Sequence, residues 1–284
     1  MDFELSAEQE AIRDAVTNIC ARFGDDYWLR KDREGGFPED FYQAIAEGGW
    51  LGVCIPPEYG GSGLGITEAA IMMRAISESG GGMSAASAIH INVFGLNPVV
   101  VFGTEAQKRR MLPPMAQGKE KSCFAVTEPN TGLNTTQLKT RAVRNGDRYV
   151  VNGQKVWIST AQVAHKILLL ARTTPLEEVK KPTEGLSLFY TDFDRSRVSV
   201  REIDKMGRKI VDSNELFFAD FEVPVEDRIG EEGKGFEYIL HGMNPERVLI
   251  AGPVGDIEAV IDRPQADARG IALIAHPHPL FGGS

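Results

Sequence analysis

The stretch Cys123-Phe-Ala-Val-Thr-Glu-Pro-Asn-Thr-Gly-Leu-Asn134, answered by Lys155-Val-Trp-Ile-Ser159, decides how this chain is read. Alternation from Lys121 to Thr127 predicts a half-buried strand, and Glu128-Pro129 with Gly132 ends it in a turn that leaves the Thr127 hydroxyl at the strand tip. Strands follow over Lys139 to Arg144 and Asp147 to Val151, joined by Asn145-Gly146, the strongest short-range hairpin signal. A further turn at Asn152-Gly153 delivers Val156 to Ser159. Side chains two apart on a strand share a face, so Trp157 and Ser159 point an indole plane and a hydroxyl the same way. The pair suits a flat polar ring, although either residue alone would read as part of a sandwich core.

Towards the N-terminus the chain is helical, from Asp2 to about Gly118. Ser6 with Gln9 fits a capping box, and Ile12, Val16, Ile19 and Phe23 recur at helical spacing behind it. Pro38 just inside a second helix and Thr104 with Gln107 ahead of another repeat the start signal. Ala85 to Phe102, interrupted by Gly95 and Pro98, is too apolar for surface helices and predicts a packed bundle. Beyond the quoted stretch, Ile167 to Leu170, Leu186 to Tyr190, Val198 to Ile203 and Glu215 to Val223 are short runs separated by turn clusters. Helical spacing returns with Phe236, Ile239, Leu240 and Met243, where Pro245 kinks or restarts the helix.

The segment resembles the flavin-binding middle domain of the acyl-CoA dehydrogenases, and the likeness runs from about Phe3 to Ala251. Supporting matches are Gly103-Thr-Glu-Ala-Gln-Lys108 with Leu112-Pro113 before the sheet, and Lys205-Met-Gly207, Ser213, Phe217 and Val223-Pro224 after it. The resemblance implies an α+β fold: an N-terminal all-helical bundle (1–120), a flavin-facing antiparallel β-barrel or sandwich (121–230), and the first helix (231–251) of a C-terminal four-helix bundle before which the chain is truncated. It implies α,β-dehydrogenation of an acyl-CoA thioester in fatty acid metabolism with FAD as cofactor, an electron-transferring flavoprotein as acceptor, and a homo-oligomer, with activity of the truncated chain in doubt. By the same likeness the Val126 backbone and Thr127 contact the pyrimidine edge of FAD, Trp157 covers the ring, Ser159 bonds near N5, and Phe124 and Ile158 complete the cofactor contacts. Leu133 stands where the family carries a serine beside the thioester. Glu246 matches the base position of the isovaleryl and long-chain branches, and Arg247 a family arginine near the active site. The alternatives are a non-catalytic flavin or acyl-CoA binding fragment, or a rearranged product carrying an α/β-hydrolase piece.

Composition narrows the field. The 284 residues make room for about two domains. Lys plus Arg number 31 against 40 Asp plus Glu, a net charge of -9 with no basic block, which disfavours nucleic acid and anionic membrane surfaces. Cys20, Cys54 and Cys123 are an odd set without a Cys-x-x-Cys or a nearby metal-spaced histidine, so three reduced thiols and no metal are expected. The acidic opening Met1-Asp-Phe-Glu-Leu-Ser is unlike a secretory or transit leader, no apolar run approaches a membrane span, and a cytoplasmic protein is expected. Gly60-Gly-Ser-Gly-Leu-Gly65 follows Ile55-Pro-Pro rather than a buried strand, so it predicts a flexible loop before a helix capped by Thr67, not a nucleotide loop. His90, His165 and His241 are lone histidines, expected to be satisfied or solvent-facing.

From about Gly252 the pattern changes. The run Gly270-Ile-Ala-Leu-Ile-Ala275 and the turn His276-Pro-His-Pro-Leu-Phe-Gly-Gly283 resemble the start of an α/β-hydrolase, with no nucleophile elbow by Ser284. Residues 252–284 are thus expected to be a hydrolase-like tail, joined to the rest between Ala251 and Arg263 in a chimeric or rearranged chain.

Overall fold

Helix α1 (Ala7–Cys20) starts where the Ser6 hydroxyl accepts the Gln9 backbone N–H and the Gln9 side chain accepts that of Ser6, the reciprocal box its sequence predicts. The computed structural model describes residues 4–243, 246–252 and 255–261. Helices α2 (Asp25–Glu34), α3 (Glu39–Glu47), α4 (Ile66–Ser77), α5 (Gly82–Phe94), α6 (Asn97–Phe102) and α7 (Glu105–Ala116) follow. Pro38 is the N-cap of α3, and Thr104 with Gln107 caps α7 as a second box. The stretch Gly82–Phe102 reaches the length and apolarity of a membrane span, contrary to expectation, but most of it is buried within the protein. It divides into α5 and α6 at Gly95, where an added Cβ would meet the Ile91 carbonyl oxygen at 2.5 Å.

The strands are β1 (Ser122–Ala125), β2 (Arg141–Asn145), β3 (Arg148–Ser159), β4 (Lys166–Arg172), β5 (Leu186–Asp192), β6 (Val198–Glu202), β7 (Ser213–Pro224) and β8 (Arg228–Ile229), after which α8 (Gly235–Met243) packs on β5. They form one sheet in the order β6-β7-β3-β2-β4-β5-β8, with β1 added to β4. This corrects the antiparallel barrel: β6 and β8 are open edges, and β1 and β2 both pair with β4 in parallel. The Asn145-Gly146 hairpin pairs one edge of β2 with β3, and the other edge meets β4 in parallel at Arg141↔Arg172. Asn152-Gly153, expected as a turn, lies inside a continuous β3, opposite a bulge in β7 where Ala219 and Asp220 face the single residue Asn152.

Three apolar clusters hold the unit. Trp28, Phe41, Tyr42, Met72 and Ile89 centre the bundle. Ile167, Leu169 and Ala171 on one face of β4 join Tyr149, Val151, Leu216 and Phe221 inside the sheet domain. Leu168 and Leu170 on the other face meet Met111, Leu112 and Met115 of α7. Each such leucine, buried to 1% or less, contributes on the order of 2 kcal/mol.

Residues 244–284 form a second unit. Where a helix is expected through residue 250, the chain instead forms β9 (Glu246–Gly252), paired antiparallel with β10 (Gly255–Ile261) from Glu246↔Ile261 to Gly252↔Gly255. The physical reason is local: helical spacing ends at Met243, and the β-branched and apolar run Val248-Leu-Ile250 finds a partner in Ile257 to Ile261. The strand run 270–275 and the His276 to Gly283 turn of the hydrolase-like tail lie outside the described residues.

Candidate functional site

A bulge in β3 builds the site. Lys155 pairs with Leu216 and Ile158 with Asn214, so Val156 and Trp157 together oppose the single residue Glu215. The surplus residue is Trp157, held at φ 63, in the left-handed region that a bulky side chain rarely adopts. The extra residue does not spoil the sharing of a face: Val156 and Ile158 are buried, while Trp157 is 61% exposed and Ser159 half-buried. Both line a cleft of about 510 Å³ between β1, β3 and the helices α4 and α5. Its apolar walls are Met73, Met83, Ile91, Phe94 and Phe124, and its polar groups are Ser77, Ser87, His90, Ser159 and Arg208.

A buried ion pair fixes β1 against β3. Lys155 Nζ lies 3.0 Å from Glu128 Oε1 and donates to the Val126 carbonyl at 2.9 Å. The Glu128 carboxylate also accepts the backbone N–H groups of Lys139 and Thr140, at 2.7 and 2.9 Å. Burial pushes Lys155 down to about 8, with the Glu128 carboxylate pulling the other way. Burial raises Glu128, but the Lys155 charge and its hydrogen-bond donors outweigh that and hold it below its ordinary value. The Val156 N–H then donates to the Thr127 carbonyl at 2.9 Å, which sets the strand tip beside the bulge.

The expected site residues divide. Phe124, Trp157 and Ser159 come together in the cleft wall. Thr127 is half-buried one hydrogen bond from Val156, outside the lining. Val126 turns its side chain into the core facing the bundle, and its carbonyl is taken by Lys155. Ile158 points the other way: its side chain is 1% exposed in the sheet core and its carbonyl accepts from Asn214, because alternation sends it away from Trp157. Leu133 is fully exposed on the loop after Pro129 and does not line the cleft. Glu246 and Arg247 lie on β9 of the second unit rather than on a helix.

Other residues enter the site without a sequence signal. His90, expected as an ordinary lone histidine, stacks on Phe94 at 5.1 Å and holds Ser87 O at 3.2 Å through Nδ1. Burial pushes its imidazole below the ordinary value, with Arg208 adding to the effect against the Ser87 hydrogen bond. Arg208, at φ 57, places Nη2 2.6 Å from the Ser87 hydroxyl, which is itself buried. The Gly60–Gly65 segment is not a loose loop: Ser62, Gly63 and Leu64 donate to the carbonyls of Gly52, Ile55 and Val53. Glu68, not Thr67, reaches back to the Gly65 N–H to cap α4. The three cysteines are free, and among the described residues no group of acidic, histidine and cysteine side chains has metal-holding geometry.

With that geometry in hand, residues 6–119 match the acyl-CoA dehydrogenase N-terminal domain and residues 123–221 the acyl-CoA dehydrogenase middle domain. A probable acyl-CoA dehydrogenase of Bacillus subtilis is 32% identical over 99% of this chain and 73% of its own length. Mitochondrial isovaleryl-CoA dehydrogenase of Pongo abelii is 32% identical over 91% of this chain and 61% of its own. The butyryl-CoA dehydrogenase structure from Megasphaera elsdenii superposes with a TM-score of 0.78 at 27% identity, covering 85% of this chain and 64% of that one. The chain therefore spans between about three fifths and three quarters of the length of these relatives.

Proposed function

Because the chain belongs to the acyl-CoA dehydrogenase family, we propose that it takes part in flavin-dependent α,β-dehydrogenation of an acyl-CoA thioester. The observation that carries this reading is the exposed Trp157 indole beside Ser159 on the wall of a cleft lined mainly by apolar side chains. A large aromatic held in a strained backbone and left uncovered is what a planar ring stacks on, and strain of this kind collects at ligand sites. The residues therefore fit the isoalloxazine of FAD. Trp157 would cover the ring, and Ser159 and the Thr127 hydroxyl would bond its polar edge. When bound, FAD supplies the acceptor for the β hydrogen as hydride.

The chain's own part in the reaction is positional and acid–base. Met73, Met83, Ile91, Phe94 and Phe124 exclude water from the acyl chain. Among the described residues, none that lines the cleft is a carboxylate; by the family likeness Glu246 is the proposed base for the α proton, with Arg247 its neighbour in sequence. Electrons would leave to an electron-transferring flavoprotein, and the working form would be a homo-oligomer.

The test is a titration of the 284-residue chain with FAD, followed by anaerobic addition of straight-chain acyl-CoA thioesters. Loss of the flavin absorbance on addition, abolished in Glu246→Gln, is the expected result. Flavin retention without bleaching by any thioester would favour the second reading, a binding protein without turnover, for which the carboxylate-free cleft speaks.

A further inference from the structure

Arg208 is the one fully charged side chain among the residues that line the cleft. It has no carboxylate within ion-pair distance among the described residues; its guanidinium donates to the buried Ser87 hydroxyl. The loop that presents it is built for the purpose. Lys205 Nζ donates to the Arg208 carbonyl at 3.2 Å, the Val211 carbonyl at 2.5 Å and the Ser213 hydroxyl at 3.0 Å, and the Val211 N–H closes back on Arg208 O at 3.2 Å. The loop thus holds Arg208 in a left-handed conformation that a non-glycine residue adopts at a cost. Of the four such residues among those described, Arg208 and Trp157 both line this cleft. Backbone strain is retained where a ligand is held.

We propose, building on the acyl-CoA reading, that Arg208 is the counter-ion for a carboxylate at the far end of the acyl group, so that the cleft selects dicarboxylic acyl thioesters over plain fatty ones. A guanidinium offers a fork of N–H donors matched to a carboxylate, and one bond to Ser87 leaves most of that fork unused. Arg208 is itself exposed on the cleft wall, so water screens part of the pairing and the fit of the guanidinium fork to a carboxylate carries the preference. Burial pushes the His90 imidazole below its ordinary value, which disfavours a second positive charge in the cleft and leaves Arg208 to set the sign of the ligand. The cleft of about 510 Å³ is within the range that small-molecule sites occupy.

The test measures binding rather than turnover, by calorimetry on the full chain with glutaryl-CoA, butyryl-CoA and CoA itself. Wild type is expected to bind glutaryl-CoA about tenfold or more tightly than butyryl-CoA, and the preference should collapse towards one in Arg208→Gln. Arg208→Gly provides the control for folding, because glycine takes φ 57 without strain; it should melt no lower than wild type and lose the same preference. A wild-type ratio of one or less, or a ratio that survives both substitutions, overturns the assignment. Equal weakening of both thioesters and of CoA would also overturn it, by moving Arg208 to a phosphate of the carrier. If wild type binds neither thioester, the acyl-CoA reading falls with it; if it binds both alike, only the carboxylate preference falls.

Discussion

Lys155 Nζ and Glu128 Oε1 meet at 3.0 Å, 27 residues apart in sequence, with their side chains 0% and 7% exposed. Removing one member of such a pair leaves the other charged and buried, which typically costs about 3–5 kcal/mol. Lys155→Met is therefore expected to destabilise the protein by about 3 kcal/mol, and the double change Lys155→Met with Glu128→Gln by less than the sum of the single ones. Urea unfolding of the four proteins closes the cycle. Additive effects would mean that the two side chains do not stabilise each other.

The same pair sets an acid limb. Glu128 is held below its ordinary 4.5 although burial alone would raise it, so the unfolded chain takes up this proton first as pH falls. Its contribution is complete above pH 4.5 and is lost as pH drops through the lower folded value. Stability measured against pH should fall less steeply below 4.5 in Glu128→Gln than in wild type. Parallel acid limbs would assign the loss to other carboxylates.

Trp157→Gly should separate fold from binding. Glycine accepts φ 63 freely, so unfolding stability is expected to hold or rise by up to about 1 kcal/mol. FAD affinity should fall by about 1 kcal/mol, roughly fivefold, through lost stacking. Trp157→Ala should lose as much affinity without the relief. Equal FAD affinity in all three proteins would remove Trp157 from the site.

The glycines of 60–65 serve packing. A Cβ on Gly61 would lie 2.0 Å from the Ile55 carbonyl oxygen and 2.5 Å from the Ile55 Cβ, neither of which can swing aside. Gly61→Ala is expected to cost about 2–3 kcal/mol, seen as a drop in melting temperature, with nucleotide binding unaffected. Unchanged melting would show that the segment is slack.

Local signals carried much of this fold. The boxes at Ser6–Gln9 and Thr104–Gln107 and the Asn145-Gly146 hairpin depend only on neighbours in sequence, and all three are formed. Trp157 and Ser159 were legible as a pair for the same reason. Asn152-Gly153 misleads because the dipeptide can stay in a strand when the partner strand bulges opposite it, as β7 does at Ala219-Asp220, and only that pairing decides. The partner of Lys155 lies on another strand and that of Arg208 on a helix 121 residues away, so neither role leaves a periodic trace. Residues 248–251 are an apolar run that suits helix or strand alike, and the partner β10 settles the matter.

Strand β4 has consequences for how the molecule can be taken apart. Ile167, Leu169 and Ala171 are shared with the interior of the sheet, and Leu168 and Leu170 with helices α6 to α8. Residues 4–119 and 122–243 thus own the two halves of one wall. The point at which one family module ends and the next begins is a seam in evolution, not in folding: a fragment cut there would bare a greasy face on each product, and the pair should melt as one cooperative body.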